Sequence, residues 1–217
     1  AALLFTSYRT GSAQLFSVEP FPDGPIRQWT SGEPIHPFSP AIHPDGDRVY
    51  FVRDCAVWVI RRDTLEEAEI ARFEGAQLGE VSLSSCQGWL TAAAKWGGEN
   101  GMVAGRVDGT GWRFIPFPRT VIHPQFHPLE PEWIEFAADP APRIHRVRRD
   151  GTGMECLYQH SNDEFVVHET FLGRTGDLVY TVWPHALWRM DWQNLERTLI
   201  CKFNAWHITP NRGGTLV

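Results

Sequence analysis

The reading of the fold starts from His43-Pro44-Asp45-Gly46-Asp47-Arg48-Val49-Tyr50-Phe51-Val52-Arg53-Asp54-Cys55-Ala56-Val57-Trp58-Val59-Ile60-Arg61. Pro-Asp-Gly is turn chemistry, since Gly supplies the φ > 0 position that other residues resist. Two runs rich in Val, Tyr, Phe and Trp follow, split by Asp54-Cys55, which reads as two strands joined by a tight turn. Upstream, Pro37-Phe38-Ser39-Pro40-Ala41-Ile42 is a shorter segment running into the turn. Downstream, 67–73 reads as a fourth strand. Local propensity over 64–71 favours a helix, but the position of the segment in a repeat overrides that preference.

The repeat is visible once the apolar runs are lined up. Central strands begin near Leu3, Val49, Leu90, Ile134, Val179 and Leu216, at intervals of 46, 41, 44, 45 and 37 residues. A second copy of the unit has 166–172, a turn at 173–176, and strands at 177–183, 186–192 and 197–202. Asp108-Gly109-Thr110-Gly111 and Asp150-Gly151-Thr152-Gly153 supply equivalent tight turns. Four strands per ~40–50 residues with recurrent Asp-Gly turns is the pattern of a β-propeller blade.

Four full blades are expected at 36–74, 79–117, 121–159 and 165–203. They follow strands two to four of a first blade and precede the first two strands of another. The expectation is an all-β, single-domain propeller over 1–217, with about five blades' worth of strands, open at both ends. A closed ring of five and a seven- or eight-bladed ring of which this is a part both fit the count.

Composition agrees with many short strands: 10 Trp, 13 Phe, 16 Pro and 19 Gly stand against 3 Met in 217 residues. Lys+Arg number 20 and Asp+Glu 26, a net charge of −6, which gives no support to a nucleic-acid or anionic-membrane partner. A small anionic ligand is still compatible, because a few local cations suffice for it. No apolar run approaches the ~18–20 residues of a membrane helix. The four cysteines, Cys55, Cys86, Cys156 and Cys201, show no CxxC spacing and read as buried thiols in a reducing compartment.

The phase of the histidines carries the functional signal. His36, His123, His168 and His207 lie 13, 11, 11 and 9 residues before Val49, Ile134, Val179 and Leu216, with Gly79 at the place in the third blade. Each falls near the start of an innermost strand, so together they form an arc round one mouth of the channel. The loops between second and third strands bring Arg9, Asp54, Arg143 and His185 to the same rim. Such a rim suits a divalent metal or an anionic ligand. Taken singly, His36, His43, His123 and His127 each precede Pro and read as turn residues. Trp183 and Trp206 are read as rim packing ahead of sugar stacking.

Three stretches resemble the oligogalacturonate lyases, polysaccharide lyase family twenty-two. They are Tyr158-Gln159-His160-Ser161-Asn162-Asp163-Glu164-Phe165-Val166-Val167-His168-Glu169-Thr170-Phe171, Val182-Trp183-Pro184-His185-Ala186-Leu187, and Phe203-Asn204-Ala205-Trp206-His207-Ile208-Thr209-Pro210-Asn211-Arg212-Gly213-Gly214. Leu4-Phe5-Thr6-Ser7-Tyr8-Arg9 and His123-Pro124-Gln125-Phe126-His127-Pro128 fit as well, while the earlier Pro-Asp-Gly blades also resemble TolB-type propellers.

The resemblance implies a cytoplasmic, seven-bladed enzyme that cleaves oligogalacturonides by β-elimination with a divalent metal, often Mn2+. It places the catalytic base on His168, the arginine that meets substrate on Arg143, and a metal ligand on His207. His123, Gln125 and His185 are the expected substrate contacts. The family's remaining ligands, in a Gln-x-x-His-Pro-His pattern, find no match here, since Gln125-Phe126-His127 has the wrong spacing; they are expected beyond residue 217. Two other readings stay open: a non-catalytic TolB-like or WD40-like binding scaffold, and a different metal-dependent hydrolase on a propeller.

Overall fold

A computed structural model describes residues 2–217, and every regular element in it is a strand. The first sheet has three strands, β1 (Leu3–Ser7), β2 (Gln14–Val18) and β3 (Ile26–Gln28). Four four-stranded antiparallel sheets follow, each a consecutive meander. They are β4 (Ala41–Ile42), β5 (Arg48–Arg53), β6 (Ala56–Arg61) and β7 (Glu67–Arg72); then β8 (Gln77–Leu83), β9 (Trp89–Trp96), β10 (Glu99–Arg106) and β11 (Arg113–Phe117). The next are β12 (Thr120–Phe126), β13 (Trp133–Asp139), β14 (Ile144–Arg148) and β15 (Glu155–Cys156), and finally β16 (Val166–Phe171), β17 (Leu178–Val182), β18 (Ala186–Met190) and β19 (Arg197–Cys201).

The strand period explains how one blade sits between two others. On β5, Tyr50 and Val52 face the cluster shared with β8 and β9, while Val49 and Phe51 face the cluster shared with β2. On β9, Ala92 and Ala94 join the first of these clusters and Ala93 the next one. Alternate residues of a strand point to opposite faces, so a blade covered on both faces needs apolar residues throughout its central strands. Phe136 and Ile134 fill the third interface and Tyr180, Leu178 and Met190 the fourth, all fully buried. Each such side chain contributes roughly 1.5–3 kcal/mol.

The Asp-Gly turns close by the expected chemistry. Asp108 Oδ1 accepts from the Thr110 N–H at 3.0 Å and Asp150 Oδ1 from the Thr152 N–H at 2.9 Å. Gly109 and Gly151, both at φ +88°, take the position that an L side chain resists. Over 64–71 no helix forms: the Thr64 N–H is taken by Asp63 Oδ1 and the Glu66 N–H by Thr64 Oγ1, which makes a turn that leads into β7 at Glu67.

Two expectations fail. Residues 202–217 form no strand, although two were expected there. Their hydrogen bonds are spent locally: the Asn211 side chain accepts from the Thr215 and Leu216 N–H groups, and the Arg174 N–H donates to the Arg212 carbonyl. Only the turn of a hairpin results, seated on the turn around Gly173. Of the four cysteines, all free thiols, only Cys55 is buried; Cys86 lies exposed in the β8–β9 turn and Cys201 at the exposed end of β19.

Candidate functional site

Three innermost strands carry the same irregularity. Opposite single residues of their partners, β8 inserts Gly79-Glu80 against Ala93, β12 inserts His123-Pro124 against Phe136, and β16 inserts His168-Glu169 against Tyr180. Of the four histidines expected at one repeat phase, His123 and His168 are therefore the first residues of such bulges, with Gly79 at the same register in β8, whereas His36 and His207 lie outside the strands. His123 at φ +52° and His168 at φ +57° occupy the left-handed region, where a bulge normally places Gly. Holding a non-glycine there costs on the order of 1–2 kcal/mol, met by the packing on either side.

The bulges turn His123 and His168 into an open cleft of about 330 Å³, also lined by Phe38, Glu80, Gln125, Thr170 and Ile208. His207 comes from the segment after β19, and its ring centroid lies 4.4 Å from that of His168. Trp206 packs edge-on against the same His168 ring at 4.9 Å. His168 Nε2 is buried without a partner. Burial foremost, then the neighbouring His207, His123 and Arg143, push the His168 pKa down against the pull of Glu169. The imidazole is thus neutral near pH 7, the form in which it takes up a proton.

Arg143, expected on the rim, is only 8% exposed, with Glu169 at 4% and Glu135 at 0%. Arg143 Nε donates to Glu169 Oε1 at 3.0 Å, and Nη1 reaches Asp139 Oδ1 at 3.4 Å. Gln125 binds inward as well: its Nε2 donates to the Glu169 carbonyl at 2.8 Å and to Glu135 Oε2 at 3.3 Å, and its Oε1 accepts from Thr170 Oγ1 at 3.1 Å. Burial and the nearby Glu169 charge push the Glu135 pKa well above the carboxylate range, opposed by Arg143.

The other expected contacts lie elsewhere. His185 sits exposed in the β17–β18 turn and does not line the cleft. His36 lines an adjoining hollow with Glu80, Lys95 and Thr120. On the rim, Asp54 is taken up by Arg72 at 3.1 Å.

Two of the His-Pro pairs are turn residues. His127 is buried against Phe171 and Trp192, and its Nδ1 accepts from the Leu129 and Glu130 N–H groups while Nε2 donates to the Gly176 carbonyl. His43, also buried, accepts from the Asp45 N–H in the same way.

Sequence reasoning missed Glu135, Glu169 and Glu80. A signal existed for one of them: Glu135 is the single charge inside the apolar run Trp133-Ile134-Glu135-Phe136-Ala137-Ala138. Glu169 and Glu80 are second residues of bulges, and no pattern of residue types announces a bulge.

A metal was expected through His207. Among the described residues, no group of three or more His, Cys, Asp or Glu side chains is placed to hold an ion. His207 supplies one imidazole and no third donor joins it and His168, so the residues present do not fit a complete divalent-metal site.

Neither a family model nor a curated protein matches the chain. Among solved structures it is similar to an oligogalacturonate lyase in complex with manganese, with a TM-score of 0.85 and 18% identity over 99% of this chain and 66% of that one. It is similar to an oligogalacturonate lyase from Vibrio parahaemolyticus, with a TM-score of 0.84, 16% identity, and 99% and 65% covered. TolB from Acinetobacter baumannii gives 0.66, 16% identity, and 93% and 52% covered. The chain spans about two thirds of the length of these lyases. At such identities the likeness concerns architecture, and the chain has the β-propeller fold that the lyases and TolB share.

Proposed function

We propose that this chain carries the proton-abstracting part of a lyase that cleaves oligogalacturonides by β-elimination. The observation that carries the reading is His168: a neutral imidazole held in a left-handed bulge, opening into a cleft whose lining includes Glu169, the partner of Arg143. The fold shared with two lyases supports it.

In a 4-linked uronate the C5 hydrogen is acidic only because it lies α to the carboxylate. His168 takes that proton, and the electron pair left on C5 forms the C4=C5 double bond as the C4–O4 bond breaks. The leaving sugar oxygen then picks up a proton from water. Negative charge builds on the substrate carboxylate in the transition state, and Arg143, paired with Glu169, cancels the repulsion that the Glu169 carboxylate alone would exert on it. His123 meets the uronate from the rim. No step is assigned to a metal; the manganese belongs to the neighbouring structure.

Mixing the protein with digalacturonate and following ultraviolet absorbance of the conjugated product, after chelation and again with added Mn2+, tests the reading. Product is expected, with a loss of at least ~10²-fold in His168→Ala. No product under either condition overturns it. The second reading, a non-catalytic scaffold, draws on the likeness to TolB and on the burial of Arg143. It expects sugar binding that survives His168→Ala unchanged, with no product.

A further inference from the structure

Below the cleft, two carboxyl groups and one guanidinium are enclosed together. Glu135 on β13, Glu169 on β16 and Arg143 just before β14 are each more than nine-tenths buried. Arg143 Nε is spent on Glu169 Oε1, and Gln125 Nε2 on Glu135 Oε2. Glu135 Oε1 and Glu169 Oε2 remain buried with no donor at all.

Charge counting makes the arrangement unusual. Two anions and one cation out of water leave an uncompensated negative charge, which a protein interior tolerates poorly. Two orphaned acceptors facing no donor add a second fault. A single proton corrects both. It brings the trio to neutrality, and it turns one orphan acceptor into a donor. Like-charged carboxyl groups in one enclosed site commonly divide a proton in this manner.

Other charged or titratable groups surround the trio. Asp139, exposed at the end of β13, reaches Arg143 Nη1; His160 Nε2 accepts the Arg143 main-chain N–H at 2.9 Å; His145 Nδ1 bonds the Arg143 carbonyl at 2.9 Å. His168 precedes Glu169 on β16 and lies within electrostatic reach of both Glu169 and Arg143. From β12 the trio meets the uncharged Gln125. None of these contributes a second buried cation.

We propose that Glu135 and Glu169 are a buried acid pair sharing one proton, and that this pair positions Arg143 and keeps the cleft floor neutral beneath an anionic sugar. Glu135 is the resting holder of the proton and Glu169 the counter-ion of Arg143. The second half of the proposal rests on the reading that the cleft takes a uronate. Once the pair loses its proton the floor gains a negative charge, and a carboxylate above it is repelled.

Infrared spectroscopy tests the pair without any need of activity, because solvent-exposed carboxyl groups are ionised at pH 7. The parent protein is expected to keep a protonated carboxylic-acid carbonyl band at pH 7, equivalent to one group. E135Q loses the band. E169Q loses it too, since Glu135 then becomes the buried counter-ion of Arg143 and ionises. Absence of the band in the parent, or its survival in E135Q, overturns the pair, and the parent measurement decides even where a variant fails to fold.

Calorimetric binding of digalacturonate tests the positioning role. The parent's Kd is expected to rise at least threefold as pH passes through the loss of the band, and E135Q to show no such rise. A Kd that ignores the band overturns the positioning role. Binding and a band together without product, in the presence of Mn2+, overturn the lyase reading and leave the acid pair standing.

Discussion

The imidazoles of His168 and His207 lie with centroids 4.4 Å apart, brought together from the bulge of β16 and the segment after β19. Burial, then the neighbouring His207, disfavours the charged form of the half-buried His168. The Trp206 ring against His168 removes further water from that side. A base results without any carboxylate hydrogen-bonded to it.

The first prediction separates the conformational role of His168 from its chemical one. At φ +57° the residue pays on the order of 1–2 kcal/mol, which Gly would not, while Gly loses about 0.5–1 kcal/mol through the freedom of its unfolded chain. His168→Gly is therefore expected within ~1 kcal/mol of the parent in urea denaturation, and His168→Val about 1–2 kcal/mol below it. Both lose at least ~10²-fold in product formation. A glycine variant that is badly destabilised would show that the ring, and not the backbone, holds the bulge.

The second prediction concerns acid stability. His145 Nδ1 bonds the Arg143 carbonyl at 2.9 Å and Nε2 faces Arg119 Nη2 at 3.1 Å, so its partners fix the neutral ring with the proton on Nδ1. Burial pushes its pKa down, as it does for His127. A depressed folded pKa means that the unfolded chain takes up a proton first, near pH 6.5. The stabilisation is whole above that pH and is lost as pH falls below it, by up to about 1.4 kcal/mol per pH unit for one proton. Glu135, with its raised pKa, tilts stability the other way. The informative quantity is therefore the difference between the parent and His145→Gln, measured by urea denaturation from pH 7.5 to 5. It should shrink as pH falls; a constant difference would show that His145 does not titrate on unfolding.

Much of the fold was legible because its determinants are local. Gly46, Gly109 and Gly151 mark turns by residue type, and the alternating apolar faces of Val49-Tyr50-Phe51-Val52 state that a blade is covered on both sides. The phase of His123 and His168 was legible too, since their bulges recur with the repeat, but that of His36 and His207 marks no bulge. The burial of Arg143 was not. It depends on Glu169, 26 residues away on the next blade, which takes the Arg143 side chain inward beside Glu135 of β13. Pairings between blades leave no spacing signature, and the same arginine would read identically on an open rim. The absent strands after β19 fail for a related reason: Asn211 satisfies the Thr215 and Leu216 N–H groups through its own side chain.

The third prediction follows from that burial. Arg143→Ala leaves the Glu169 carboxylate, 4% exposed, without its donor. Breaking a buried pair from one side costs roughly 3–5 kcal/mol, far more than the pair contributes when intact. Adding Glu169→Gln to Arg143→Ala should restore at least ~1–2 kcal/mol in denaturant unfolding, because the orphaned charge is gone. An additive double variant would mean that Glu169 finds another partner. Loss of product in Arg143→Ala is then to be scored per folded molecule.

The fourth prediction ranks two histidines that the sequence treats alike. His123 lines the cleft with its side chain 44% exposed, 3.8 Å from Glu80 Oε1, whereas His185 faces solvent from the β17–β18 turn and lines no part of it. A hydrogen bond to a charged partner contributes about 1.5–3 kcal/mol, and 1.4 kcal/mol is tenfold in affinity. His123→Ala is expected to raise KM for digalacturonate about tenfold with kcat changed less, and His185→Ala to leave both within about twofold. Initial rates over a range of substrate concentrations decide between them. A larger effect from His185 would place the sugar chain along the rim toward β18 and would remove His123 from the site.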